Sequence, residues 1–148
     1  MTEFESTTFF IDRCLGNKLI VETLRAANVM VEIHDDHFRK NTQDVDWIPE
    51  IGKRGWVILT KDARIGKNQI ERLAVADARV KMFVLVSQNL SGADMANIFL
   101  KSIPEMEKFI RRNISPFIAK VDRDSKVKAW KDNLALRSEL DRFLSSSE

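Results

Sequence analysis

Apolar runs of strand length alternate with segments of helical periodicity, and this predicts a three-layer α/β/α sandwich around a mainly parallel sheet. The connections between these segments are short, as crossover units in such folds require. Two acids sharpen the prediction: Asp12 ends the run Phe9-Phe10-Ile11, and Asp62 follows Trp56-Val57-Ile58-Leu59-Thr60-Lys61. Open parallel sheets build their ligand sites outside the carboxyl ends of their strands, which is where these acids fall. A chain of 148 residues fits one domain over 1–148, with its core at about 8–121 and a basic carboxy-terminal helix at about 129–144.

Taken in order, Thr8 to Ile11 is a short strand after a polar amino-terminal tail. Gly16 to Ala27 has helical spacing at Ile20, Leu24 and Ala27. Val29 to Ile33 is rich in strand formers and ends at the polar turn His34-Asp35-Asp36-His37. Asp44 to Lys53 suits a short helix, with acids at its start and lysine at its end, as the macrodipole prefers. Trp56 to Thr60 reads as a continuous apolar strand, Lys67 to Arg79 as a helix, and Lys81 to Ser87 as the next strand. Ser91 with Asp94 and Ser102 with Glu105 both have capping-box spacing, which divides Ser91 to Arg112 into two helices with Pro104 near the second start. The stripe Met95, Ile98, Phe99, Ile103, Met106, Phe109 and Ile110 is core packing. Pro116 to Val121 is expected as a last strand at the sheet's edge, because Pro116 lacks a ladder donor. Ala129 to Leu144 is expected as the terminal helix.

Composition excludes several functions. No stretch approaches the roughly 20 apolar residues that span a bilayer, and no secretory signal opens the chain, so a cytoplasmic protein with no membrane partner is expected. Cys14 is the one cysteine, which rules out disulfide frameworks and thiolate zinc sites within a monomer. His34 and His37 are the only histidines, which argues against a histidine-rich metal site. Between Arg111 and Lys131 seven basic residues face two acids, Asp122 and Asp124, and Trp130 lies among them. Such a segment suits a nucleic-acid backbone, an acidic partner or simply solvent.

Clustered carboxylates raise each other's pKa unless a cation is present, and an isolated buried charge is costly. Mg²⁺ suits a site of this kind, since it takes one or two carboxylates and keeps waters for a phosphate substrate. Asp46 opens the helix before the third strand and reaches the same edge as Asp12 and Asp62, although Asp44 serves the same purpose. Thr60 is placed to hold a carboxylate, and Glu71 lies one or two helical turns beyond Asp62. His34 and His37 also allow a metal-free acid–base pair. No GxGxxG or GxxxxGK[ST] phosphate loop occurs.

At Phe9-Phe10-Ile11-Asp12, Asp44-Val45-Asp46-Trp47-Ile48, Ile58-Leu59-Thr60-Lys61-Asp62 and Asn89-Leu90-Ser91-Gly92, the chain resembles the PIN-like domain family, in particular its VapC-type toxin branch. The resemblance covers about residues 8–121. It implies a Rossmann-like fold and a ribonuclease dependent on Mg²⁺ or Mn²⁺ that leaves a 3′-hydroxyl and a 5′-phosphate. Asp12 matches the first-strand acid and Asp62 the acid of the Thr-x-Asp motif, with Asp46 as the middle acid and Asp44 as its alternative. These three would be both the catalytic acids and the metal ligands, with Thr60 and Glu71 supporting them. Arg13, Lys61 and Lys67 would grip RNA phosphates. The family's fourth acid has no counterpart in Val84-Leu85-Val86-Ser87-Gln88-Asn89, where only Asn89 offers a neutral substitute, and this favours one firmly bound ion. The resemblance further implies a cognate antitoxin covering the site and a homodimer. The rival reading is a non-catalytic PIN-fold module that binds protein or RNA through its basic tail.

Overall fold

The computed structural model describes residues 7–16 and 18–146; the expected polar tail over residues 1–6 and Asn17 of the first expected helix lie outside them. Five parallel strands form the sheet: β1 (Thr8–Ile11), β2 (Met30–Ile33), β3 (Val57–Thr60), β4 (Lys81–Leu85) and β5 (Phe117–Val121). An antiparallel sixth strand, β6 (Val127–Lys131), completes the order β2-β1-β3-β4-β5-β6. The reversal between β1 and β3 makes their carboxyl ends neighbours, with Phe10 opposite Ile58 and Ile11 opposite Leu59.

Alternation along each strand sends side chains to two cores. Phe9, Ile11, Val57, Leu59, Phe83 and Leu85 face one side, against α1 (Leu19–Ala26) and α5 (Gly92–Arg112). Phe10, Ile58, Met82, Val84 and Ile118 face the other. There they meet α2 (Asp44–Arg54), the one-turn α3 (Arg64–Lys67), α4 (Gln69–Asp77) and α6 (Asn133–Ser146). Helices therefore cover both faces, as expected of the α/β/α class. Among the described residues no helix is long and apolar enough to cross a membrane.

Three expectations are corrected. Ser91 to Arg112 is one helix of 21 residues that carries Pro104 inside it. Ser91 and Asp94 do form the capping box, but Ser102 is fully buried and donates to the Phe99 carbonyl at 3.0 Å instead of capping a second helix. Continuous burial of Met95, Phe99 and Met106 outweighs the donor lost at proline. Next, β5 is not an edge strand, since β6 pairs beyond it and Pro116 precedes the ladder. Finally, the helix expected over 129–144 is strand β6 followed by α6, which starts after Asp132 accepts from the Ala135 amide at 2.9 Å.

The register of β6 shifts between Ala119↔Ala129 and Ile118↔Lys131, which makes Trp130 the extra residue of a bulge. Bulges re-aim side chains. The ring of Trp130 lies against Gly66 so closely that any Cβ there would overlap it. Arg72 binds both oxygens of Glu139, at 2.8 and 2.7 Å, and also donates to the Gly66 carbonyl at 3.1 Å. The carboxy-terminal elements thus hold α3 and α4 against the sheet.

Candidate active site

Asp12 leaves β1 with its amide still bonded to the Leu59 carbonyl at 3.0 Å, so its backbone position is set by the β1–β3 ladder. Its side chain is 6% exposed and accepts from the Thr60 hydroxyl at 2.7 Å. The Cys14 thiol, on the 3-10 turn Arg13–Leu15, donates to the same oxygen at 3.4 Å and lies 3.3 Å from the Thr60 hydroxyl. Burial and the Asp12 charge push that thiol up to about 11, against opposing hydrogen bonds from Thr60 and Lys61. Cys14 is therefore a neutral donor to Asp12.

Thr60, fully buried at the end of β3, also accepts from the Asp62 amide at 3.0 Å. One hydroxyl thus connects the two acids that the sequence places at the strand ends. Asp62 in turn accepts from the Arg64 guanidinium in bidentate fashion, both contacts at 2.9 Å, and also from the Arg64 amide at 3.0 Å, just before α3. The Arg64 hydrogen bonds hold the Asp62 carboxyl below its usual range, over the opposing effect of burial.

Asp44, not Asp46, belongs to this group. Its Oδ1 accepts from the Trp47 indole at 3.0 Å, which anchors it to a fully buried ring. Its carboxyl is raised by burial first, then by the charge of Asp12 and further by Asp62, while the Trp47 bond and Arg64 oppose. Asp46 is exposed, and no described interaction ties it to the other acids. Glu71 sits in the first turn of α4, its amide bonded to Asn68 at 3.1 Å. Burial and then the charges of Asp44 and Asp62 raise its carboxyl, and its Oε1 is buried with no hydrogen-bond partner among the described residues.

Asp12, Asp44, Asp62 and Glu71 therefore share one electrostatic neighbourhood in which two carboxyls are pushed up and one buried oxygen is orphaned. Oxygen-only donors with excess negative charge have the chemistry of a hard-cation site. As placed, no three His, Cys, Asp or Glu side chains among the described residues stand close enough to enclose a metal ion. Asp62 is turned onto Arg64, and freeing it would need that guanidinium to move.

The remaining expected residues are dispersed. Arg13 donates to Asp35 at 2.8 Å beside a cleft of about 150 Å³ lined by Ile11, Arg13, Gly16, Ile33, His34 and Asp35. Burial alone would raise the Asp35 carboxyl, but bonds from His34 and Arg13 outweigh it and lower it. Lys61 and Lys67 are exposed. His34 is buried beside Phe10, Phe38 and Trp47, while His37 binds Glu32 at 2.7 Å, so the two imidazoles do not form an acid–base pair. Asn89 is exposed in a left-handed conformation. Along the chain, Cys14 and Arg64 stand out only by their closeness to Asp12 and Asp62.

The model of the PIN-like domain family matches residues 7–87, more than half of the chain and the segment that carries all four acids. The chain belongs to the PIN-like domain family. This PIN-like chain is 27% identical over 106 residues, 69% of its length, to a Mycobacterium tuberculosis H37Rv protein named "Putative ribonuclease VapC45", of which the match covers 77%. That likeness agrees with the VapC-type branch expected from the sequence. No solved structure matches the chain significantly.

Proposed function

We propose that this PIN-like chain is a ribonuclease of the VapC type, dependent on Mg²⁺ or Mn²⁺, with Asp12, Asp44, Asp62 and Glu71 as its acids. The observation that carries the reading is the gathering of Asp44 and Glu71 beside the acids of the β1 and β3 ends, where burial first and then the neighbouring charges raise both carboxyls, together with the buried Glu71 oxygen that no described residue partners. A bound divalent ion supplies Lewis acidity for phosphodiester hydrolysis.

The chain's own residues do the rest. Thr60 and Cys14 fix Asp12, and Trp47 fixes Asp44, so two ligands are oriented before any ion arrives. Glu71, with its raised carboxyl, can take the proton of an attacking water on Oε1. Water oxygen bonds to phosphorus as the P–O3′ bond breaks, and the leaving 3′-oxygen takes a proton from solvent water, giving a 3′-hydroxyl and a 5′-phosphate. Arg64, once released from Asp62, is a planar fork suited to a phosphate, and Lys61 and Lys67 lie nearby as further cations. A cognate antitoxin, a homodimer and a cytoplasmic site of action accompany the VapC-type reading.

To test it, purified protein is incubated with mixed cellular RNA and Mn²⁺ beside an Asp12→Asn plus Asp62→Asn variant. Metal-dependent fragments bearing 5′-phosphates, absent from the variant, are expected. Equal fragments from both proteins, or none from either, would overturn the proposal in favour of a non-catalytic binding module.

A further inference from the structure

The basic segment Lys120 to Lys131 lies on neither the acids nor a helix, and its placement on the β5–β6 hairpin has a physical peculiarity. Lys120 and Lys128 stand directly opposite each other across the antiparallel ladder. Like charges in that position destabilise a sheet. Neither forms an ion pair with a described carboxylate. The nearby acid Asp122 is occupied instead, since its Oδ1 accepts from the amides of Asp124 and Lys126 at 2.8 and 3.0 Å to build the hairpin turn.

A continuous path joins this lysine pair to the acids. The Lys120 ammonium lies 4.5 Å above the Trp130 ring. That ring rests on Gly66, two residues from the Arg64 that binds Asp62 and next to the exposed Lys67. With Gly66 and Lys120 both against it, Trp130 is not an open stacking platform but the wedge that sets Lys120 beside α3. Lys67, Lys120 and Lys128, joined by Arg64 once it is released from Asp62, set cations that complement a phosphate backbone entering or leaving the acids. Their spread along one edge suits a flexible single strand.

We propose that the Lys120–Lys128 face of the β5–β6 hairpin is the track on which this protein holds the phosphates of single-stranded RNA. This inference rests on the ribonuclease reading but is tested by binding alone. In an Asp12→Asn background, anisotropy of a fluorescein-labelled single-stranded RNA of about 20 nucleotides is measured across a salt series. Lys120→Ala plus Lys128→Ala should bind several-fold more weakly and lower the slope of log affinity against log salt by about 1.4, at about 0.7 per lost phosphate contact. Lys128→Ala alone, which leaves the Lys120–Trp130 contact intact, should give about half of that slope change. Lys101→Ala plus Lys108→Ala removes the same charge from α5 and should leave the slope unchanged. Equal effects from the two double variants would show that only net charge matters and would overturn the track. RNA affinity indifferent to Lys120 and Lys128 would overturn it too, in favour of an acidic protein partner for that face. Binding that depends on the pair in a protein that cleaves no RNA would sustain the track while the ribonuclease reading fails.

Discussion

Replacing Thr60 by valine removes one oxygen and keeps the side chain's shape, so it isolates the hydroxyl that connects the two strand-end acids. Three contacts depend on that oxygen: donation to Asp12 at 2.7 Å, acceptance from the Asp62 amide at 3.0 Å, and the Cys14 thiol at 3.3 Å. A hydrogen bond to a charged group contributes about 1.5–3 kcal/mol, and a buried donor left alone costs about 1–3 kcal/mol. Water recovers part of the second at the partly exposed Asp62, so the expected loss of stability is about 2–4 kcal/mol. Asp12 would keep only the weak thiol donor at 3.4 Å. Loss of such an orienting partner typically lowers metal affinity about 10–100-fold. Urea unfolding measures the first quantity and Mn²⁺ titration the second. Thr60→Ser retains the hydroxyl and should restore metal affinity, while losing about 1 kcal/mol for the methyl. If Thr60→Val costs less than about 0.5 kcal/mol, the ordinary range for inert surface changes, the reasoning is refuted. It is equally refuted if serine fails to rescue metal binding.

Other expected outcomes concern the parts that hold the site in place. Gly66→Ala puts a Cβ into the Trp130 ring and should cost about 1–3 kcal/mol as overpacking, read as a lowered thermal midpoint; an unchanged midpoint would mean that Trp130 does not pin α3. The Arg72 hydrogen bonds, and next to burial's opposing effect its charge, hold Glu139 below its usual value of 4.5. A depressed carboxyl stabilises the fold above its unfolded pKa, and this stability is lost as the pH falls through the folded value. Glu139→Gln should therefore cost about 1–2 kcal/mol at neutral pH and almost nothing at strongly acidic pH, where the native glutamate is itself protonated. A gap in urea midpoint between the two proteins that stays constant from neutral to acid would contradict that linkage.

Much of the fold is readable along the chain because buried parallel strands are continuous apolar runs, and Asp12 and Asp62 are legible because each ends one. At the middle acid the sequence favours Asp46 with Asp44 as its alternative, and the contacts around Trp47 favour Asp44. On α2, Trp47 is the buried residue, and Asp44, three positions earlier, shares its face, whereas Asp46 points about 100° away. Helical geometry around the tryptophan favours Asp44, a signal weaker in the sequence than the acid's mere presence. Pro104 and the Ser102–Glu105 spacing suggest a helix break, yet burial of the α5 stripe on both sides of them decides otherwise. Strand β6 is concealed by its lysines and by the bulge at Trp130, which breaks the period-two alternation that Val127-Lys128-Ala129 begins, although Asp132 marks the true start of α6. The Arg64 clamp on Asp62 and the orphaned Glu71 oxygen arise from three-dimensional placement, and no local pattern announces them.

The central claim is that Asp12, Asp44 and Asp62 together hold a divalent cation. Electron paramagnetic resonance of Mn²⁺ titrated into the protein reads that directly, because bound and free ion give distinct signals. The account predicts one firmly bound Mn²⁺ that is lost in Asp12→Asn and in Asp44→Asn but retained in Asp46→Asn. Retention in Asp44→Asn with loss in Asp46→Asn, or no Mn²⁺ binding by the unaltered protein, would contradict it.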